Sequence, residues 1–149
     1  MIIRDILNMK GSAIFSVAPD GKVADAVRMM VKNDIGSLVV MDGARMTGIL
    51  TFREVLRALD AHGGSLSDLR VGAVMVADPI FGAPDDTLDH LREIMTKNHV
   101  RYLPVKDGEQ LLSVISFHDV AKLVIKETSF ENRLLKRYIK NWPEEESGK

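Results

Sequence analysis

Two tetrapeptides, Thr51-Phe-Arg-Glu54 and Ser116-Phe-His-Asp119, each set a hydroxyl and a carboxylate three residues apart where a helical stretch begins. That pairing supports one kind of recognition chemistry. Free N–H groups at a helix start, helped by the helix dipole, attract a phosphate, and the hydroxyl can donate to it. A carboxylate one turn on can accept the vicinal hydroxyls of a ribose, as an acidic residue does in dinucleotide-binding folds. The same spacing is also the capping box, Ser/Thr-x-x-Glu, with Ser-x-x-Asp a near variant. Each tetrapeptide therefore reads either as a helix cap or as part of a sugar-phosphate site. Ser116, His118 and Asp119 carry the letters of a hydrolase triad, but they share one helical turn, where i and i+2 neighbours do not face each other. No two of His62, His90, His99 and His118 stand at paired i, i+4 spacing with a carboxylate, so no metal site is expected. There is no Gly-x-Gly-x-x-Gly and no P-loop. The residues present point to a non-enzyme that uses no catalytic cofactor.

The elements that must position these groups come from a duplication. Residues 18–55 recur at a constant offset of 65 positions without insertion. Pro19-Asp20 returns as Pro84-Asp85, Met30-x-Lys32-Asn33 as Met95-x-Lys97-Asn98, and Leu38-x-Val40-x-Asp42-Gly43 as Leu103-x-Val105-x-Asp107-Gly108. Thr51-Phe52 returns as Ser116-Phe117. A unit of this length is one supersecondary block that buries its apolar face against a copy. In the first copy, Phe15 to Val17 is a short strand, Lys22 to Asn33 an amphipathic helix, and Ser37 to Met41 a buried strand. Asp42-Gly43 is a hairpin turn, Arg45 to Leu50 returns, and Thr51 opens a helix to about Ala61. The second copy repeats this with a strand at Pro79 to Gly82, a helix at Thr87 to Asn98, strands at Tyr102 to Val105 and Gln110 to Ile115, and a helix from Ser116. A segment from Val71 to Met75 mirrors Asp5 to Met9. The expected class is α/β (α+β): two pseudo-symmetric β-α-β-β-α repeats packed through their sheets. The expected division is 1–62 for the first repeat with its N-terminal helical segment, 63–70 for a linker, and 71–126 for the second repeat. Residues 127–149 are a C-terminal amphipathic helix and a disordered tail.

Composition narrows the classes. The chain of 149 residues fits one compact domain or two half-domains sharing a core. A formal charge of −1 gives no global attraction to nucleic acid or membranes. With no cysteine, disulfides and thiolate metal sites are excluded, and a reducing compartment is compatible. The N-terminus is too short and too charged for a signal peptide, and no apolar run approaches a membrane span. A soluble cytoplasmic protein is expected.

The β-α-β-β-α order, the VAPD and GAPD turns, the RYLPVKDG segment and the junctions Gly48-Ile-Leu-Thr51 and Ser113-Val-Ile-Ser116 together resemble a tandem cystathionine-β-synthase (CBS) domain pair, or Bateman module. The resemblance covers roughly residues 3–126 and implies a stand-alone regulatory module that binds an adenosine-containing ligand: AMP, ADP, ATP, NAD(H) or S-adenosylmethionine. In that family a Thr/Ser-x-x-Asp element takes phosphate at the hydroxyl and ribose at the Asp, and Ser116 and Asp119 match it. The resemblance further implies that Ser12, Ala13 and Ile14 wall the adenine of this primary site, with Ile35 and Gly36 beneath it and His118 near the phosphate. Gly36 is expected to let the base approach the backbone. A secondary site is implied at Thr51 and Glu54, with Arg53, Val76, Asp78, Pro79, Ile80, Val100 and Arg101. There Glu replaces the family's Asp, and the sugar would shift by about one C–C bond, roughly 1.5 Å. Arg101 is either a phosphate ligand or a salt-bridge partner of Asp34.

Thr128 to Trp142 places Phe130, Leu134, Leu135, Tyr138, Ile139 and Trp142 at helical spacing among charges. This stripe is read as a homodimer surface, since CBS pairs commonly dimerise; an unidentified regulated protein is the further partner. Nucleic acid is not expected. The alternative is a ligand-independent dimeric interaction module whose Ser/Thr-x-x-Asp/Glu elements are only helix caps.

Overall fold

The structure is a computed structural model that describes residues 1–11 and 13–140. The elements run α1 (Ile3–Lys10), β1 (Ser16–Val17), α2 (Val23–Asn33), β2 (Ser37–Asp42), β3 (Arg45–Thr51), α3 (Phe52–Ala61), α4 (Val71–Val74), β4 (Val76–Ala77), α5 (Leu88–Asn98), β5 (Tyr102–Asp107), β6 (Gln110–Ser116) and α6 (Phe117–Lys140). The mixed α/β architecture of two repeats is as the sequence predicts.

The duplication extends to backbone detail. Helices α2 and α5 both end in a left-handed residue, Asp34 (φ 51°) and His99 (φ 54°), whose N–H groups bond back to the preceding turn. Both hairpins turn at a glycine with positive φ, Gly43 and Gly108. Each hairpin also carries one register shift, between Val40 and Met41 and between Val105 and Lys106. These features lie 65 residues apart, so the irregularities were copied with the regular structure.

The sheets differ from the expected pattern at one edge. In the first repeat β1 pairs parallel with β2, and β2 pairs antiparallel with β3. The segment Pro79 to Gly82 does not form a strand; Gly82 alone bridges to Val105. Instead Val76–Ala77 adds to the first repeat's sheet, antiparallel to β3, with Ile49 opposite Val76 and Gly48 opposite Ala77. Asp78 turns the chain at φ 50°, and Pro79 has no N–H to offer a ladder.

Among the described residues there are two hydrophobic cores, and each borrows a helix across the chain. Ile3 and Ile6 of α1 are buried with Leu88, Leu91, Met95, Leu103 and Ile115 of the second repeat. Val71 of α4 is buried with Val23, Ala26, Leu38 and Leu50 of the first. Chain order groups α1 with the first repeat; its apolar face packs on the second. The Ile3 N–H donates to Asp86 O, and the Val71 N–H donates to Gly21 O. Because Gly21 and Asp86 are 65 apart, these bonds equate Ile3, not Asp5, with Val71. From these equivalent starts α1 runs for 8 residues and α4 for 4, so α1 carries an extra turn ending at Lys10.

Helix α6 continues for 24 residues without a break at residue 127. Its last core contacts are Val120, Leu123 and Val124, and beyond them Phe130, Leu134, Leu135, Tyr138 and Ile139 are exposed. Trp142 lies outside the described residues, as does the rest of the tail. Among the described residues no helix is long and apolar enough to cross a membrane.

Candidate nucleotide cleft

Strand β6 delivers Ser116 to the start of α6, and the first turn of that helix fixes Asp119. The Ser116 N–H donates to Asp119 Oδ2 at 2.9 Å, and the Asp119 N–H donates to Ser116 Oγ at 3.0 Å. This is a reciprocal cap in which the serine hydroxyl accepts from the helix backbone. The junction opens into a cleft of about 730 Å³, within the range that holds small-molecule ligands.

The opposite wall comes from the first repeat. Ala13, Ile14, Ile35 and Gly36 line the cleft with Ser116, His118 and Asp119, so the expected primary set converges on one space, apart from Ser12, which is outside the described residues. Ile14 and Phe15 are exposed apolar side chains facing this space. A Cβ at Gly36 would collide with the Tyr102 hydroxyl, so the glycine also accommodates that phenol.

Of the residues assigned to a secondary site, Arg101 lines the Ser116 cleft. The Glu54 carboxylate is buried and folds back on its own cap, accepting the Thr51 N–H at 2.9 Å and the Thr51 hydroxyl at 2.6 Å. The extra methylene lets the carboxylate turn inward and take the threonine proton. Val76 is tied into β4, and Val100 packs against the second repeat's core. Asp78 and Ile80 are exposed, and Pro79 is half-buried. Arg53 donates through Nη1 to His99 O at 3.2 Å. The Arg101 guanidinium lies 5.7 Å from the centre of the Phe52 ring. Phe52 in turn meets Tyr102 edge-on with centroids 6.2 Å apart.

Sequence reasoning missed Tyr102, Phe52 and Lys10. Lys10 Nζ lies 2.5 Å from Asp119 Oδ2, and both side chains are about three-quarters shielded, at 29% and 26% exposed. Burial works against ionisation of Asp119, but the Lys10 hydrogen bond and charge and the Ser116 N–H and hydroxyl outweigh it, holding the carboxyl below its ordinary value. Burial pushes the Tyr102 phenol up, partly offset by Arg101 and reinforced by Asp119. Among the described residues no group of side chains could hold a metal ion.

The CBS domain model matches residues 3–61 and 71–126, which hold the caps, hairpins and junctions described above. The chain belongs to the CBS-domain family. It is 29% identical over 146 residues to the CBS domain-containing protein CBSX3, mitochondrial, of Arabidopsis thaliana, covering 92% of this chain and 71% of that protein. Several other curated relatives are longer, and the chain spans 13–36% of their length. A putative signal-transduction protein with CBS domains from Burkholderia ambifaria superposes with a TM-score of 0.80 at 32% identity, covering 85% of this chain and 95% of that one. The CBS domain pair of protein MJ0100, solved in complex with 5′-methylthioadenosine and S-adenosyl-L-methionine, shares the fold with a TM-score of 0.74 at 20% identity, over 85% and 98% of the two chains.

Proposed function

We propose that this CBS pair is a non-catalytic regulatory module that binds an adenosine-containing ligand in the cleft between its repeats, with Ser116 taking phosphate and Asp119 the ribose. The observation that carries this reading is the Ser116–Asp119 cap. It faces an open cleft of nucleotide size, with the serine hydroxyl and the aspartate carboxylate both on its lining. Ala13, Ile14, Ile35 and Phe15 supply apolar surface for a purine, and Arg101 and His118 supply positive charge. The adenosyl ligands carried by the MJ0100 pair support the same ligand class. A ligand held between two repeats shifts their arrangement only if it binds one arrangement more tightly, and a partner protein then reads that difference. A reducing, cytoplasmic setting belongs to this reading and rests on the cysteine-free composition.

Isothermal titration with AMP, ATP, NAD(H) and S-adenosylmethionine tests the site. At least one should bind well below millimolar, and Asp119→Ala should weaken it. If none binds, or the variant binds equally well, the assignment fails.

Self-association through α6 is part of the same proposal. Its distal half presents Phe130, Leu134, Leu135, Tyr138 and Ile139 to solvent, well past the last contact with its own core. Light scattering should give a homodimer that Leu134→Glu with Ile139→Glu dissociates; a wild-type monomer would rule it out.

One observation favours the ligand-independent reading: Asp119 is already satisfied by Ser116 and Lys10. On that view Ser116→Ala and Asp119→Ala each cost about 1 kcal/mol of stability. Nucleotides would then leave the melting temperature unmoved.

A further inference from the structure

Lys10 is the feature of the cleft that the family pattern does not explain. It arrives on the extra turn of α1, which α4 lacks, so the second repeat has nothing equivalent. Its ammonium occupies the same Asp119 oxygen that the Ser116 N–H uses. A ribose diol that engages both carboxylate oxygens must therefore displace it.

The electrostatic consequence depends on the ligand. Empty, the cleft holds a compensated Lys10–Asp119 pair. A neutral nucleoside that takes Asp119 leaves a partly shielded ammonium without a partner, which is unfavourable. A nucleoside 5′-phosphate brings a replacement anion with it. Lys10 Nζ bonds the same Asp119 oxygen that takes the Ser116 N–H, so it lies beside the residue assigned to the phosphate, and its flexible stem covers that short step. S-adenosylmethionine brings a sulfonium cation into the same space and meets like charge.

We infer that Lys10 is a specificity-determining residue that makes the cleft select 5′-phosphorylated nucleosides over uncharged or sulfonium-bearing ones, by exchanging Asp119 for the ligand's phosphate. The inference rests on the reading of the cleft as an adenosyl-nucleotide site. Gly11, with φ 88°, directly follows Lys10 and ends α1, so the side chain that exchanges partners sits at a helix terminus rather than within a packed element.

Lys10→Met keeps the apolar stem and removes the charge. Calorimetric titration of the full chain with AMP, adenosine and S-adenosylmethionine is expected to show wild type favouring AMP over adenosine by about tenfold or more, the scale of a charge-assisted hydrogen bond. In Lys10→Met, AMP should weaken by about tenfold, while adenosine and S-adenosylmethionine tighten, so the preference collapses. Lys10→Arg should retain it and serves as the readout if the Met variant does not fold. An unchanged AMP-to-adenosine ratio in Lys10→Met overturns the inference and leaves the site reading standing, provided Asp119→Ala still weakens both ligands. No binding of any of the three compounds to either protein overturns both.

Discussion

Glu54→Ala and Asp119→Ala remove the same chemical group from equivalent positions and are expected to give opposite phenotypes. Glu54 is buried, 7% exposed, and its carboxylate accepts two bonds from Thr51, at 2.9 Å and 2.6 Å. Hydrogen bonds to a charged group contribute about 1.5–3 kcal/mol, and a lost cap alone about 1 kcal/mol. Because these overlap in one carboxylate, the expected loss is about 2–3 kcal/mol. For a chain of this size that lowers Tm by about 5–10 °C. Asp119 makes one backbone bond and a partly screened ion pair, so its removal costs about 1 kcal/mol and a few degrees. Nucleotide affinity should behave the other way: retained in Glu54→Ala, lost in Asp119→Ala. Differential scanning calorimetry and titration on the same samples read both effects. If Asp119→Ala proves the more destabilising variant, or Glu54→Ala abolishes binding, the assignment of one closed and one open junction is refuted.

Asp119 also predicts a pH dependence. Its folded-state value is lowered, so its contribution to stability is complete above the ordinary value of 3.8 and is lost as acid carries the pH through the lower folded value. The stability difference between wild type and Asp119→Asn, from urea denaturation, should stay flat from about pH 7 to 5 and shrink only below 3.8. A gap that closes between pH 5 and 7 would contradict the Lys10 pairing. Gly36→Ala should cost about 1–3 kcal/mol, because its Cβ strikes the Tyr102 hydroxyl. Adding Tyr102→Phe should recover part of that loss, and additive costs in the cycle would show that the two do not touch. Ser113 is 1% exposed and its hydroxyl has no hydrogen-bond partner, so Ser113→Ala should raise stability by about 1 kcal/mol, measured by thermal melting. A fall in Tm there would reveal a partner.

The constant offset of 65 made the repeats legible, because hairpin turns, helix ends and junctions are local signals and each occurs twice. Equivalent local sequences produced equivalent local structure even where it is irregular, as at the two register shifts. What failed to show was the exchange of α1 and α4 between cores. Ile3 and Val71 carry no local mark of which sheet they will cover, since burial is decided by the tertiary arrangement. The strand at Val76–Ala77 was hidden for a similar reason: its partner, β3, lies in the other repeat. Lys10 was invisible because it sits before the recurring block, on a stretch where the first copy is longer. Arg101 was assigned by analogy to the Thr51 junction, and it lines the Ser116 cleft. Its position just before β5 is set by the backbone, but the direction of its long side chain is set by the Phe52 ring.

The divergence of the two junctions comes down to one methylene and one helical turn. In both, a backbone N–H at the end of a strand donates to a carboxylate three residues on. Glu54 is long enough to pass the backbone and take the Thr51 hydroxyl as well, which closes the cap on itself and buries the acid. Asp119 is shorter; its N–H donates to the Ser116 hydroxyl, and both groups stay on the lining of the cleft. A carboxylate about three-quarters shielded in this way needs a countercharge, and the extra turn of α1 provides it in Lys10. Duplication alone would give two equal sites. The side-chain lengths and the longer helix make one junction a structural cap and the other a charged opening that a ligand can contest.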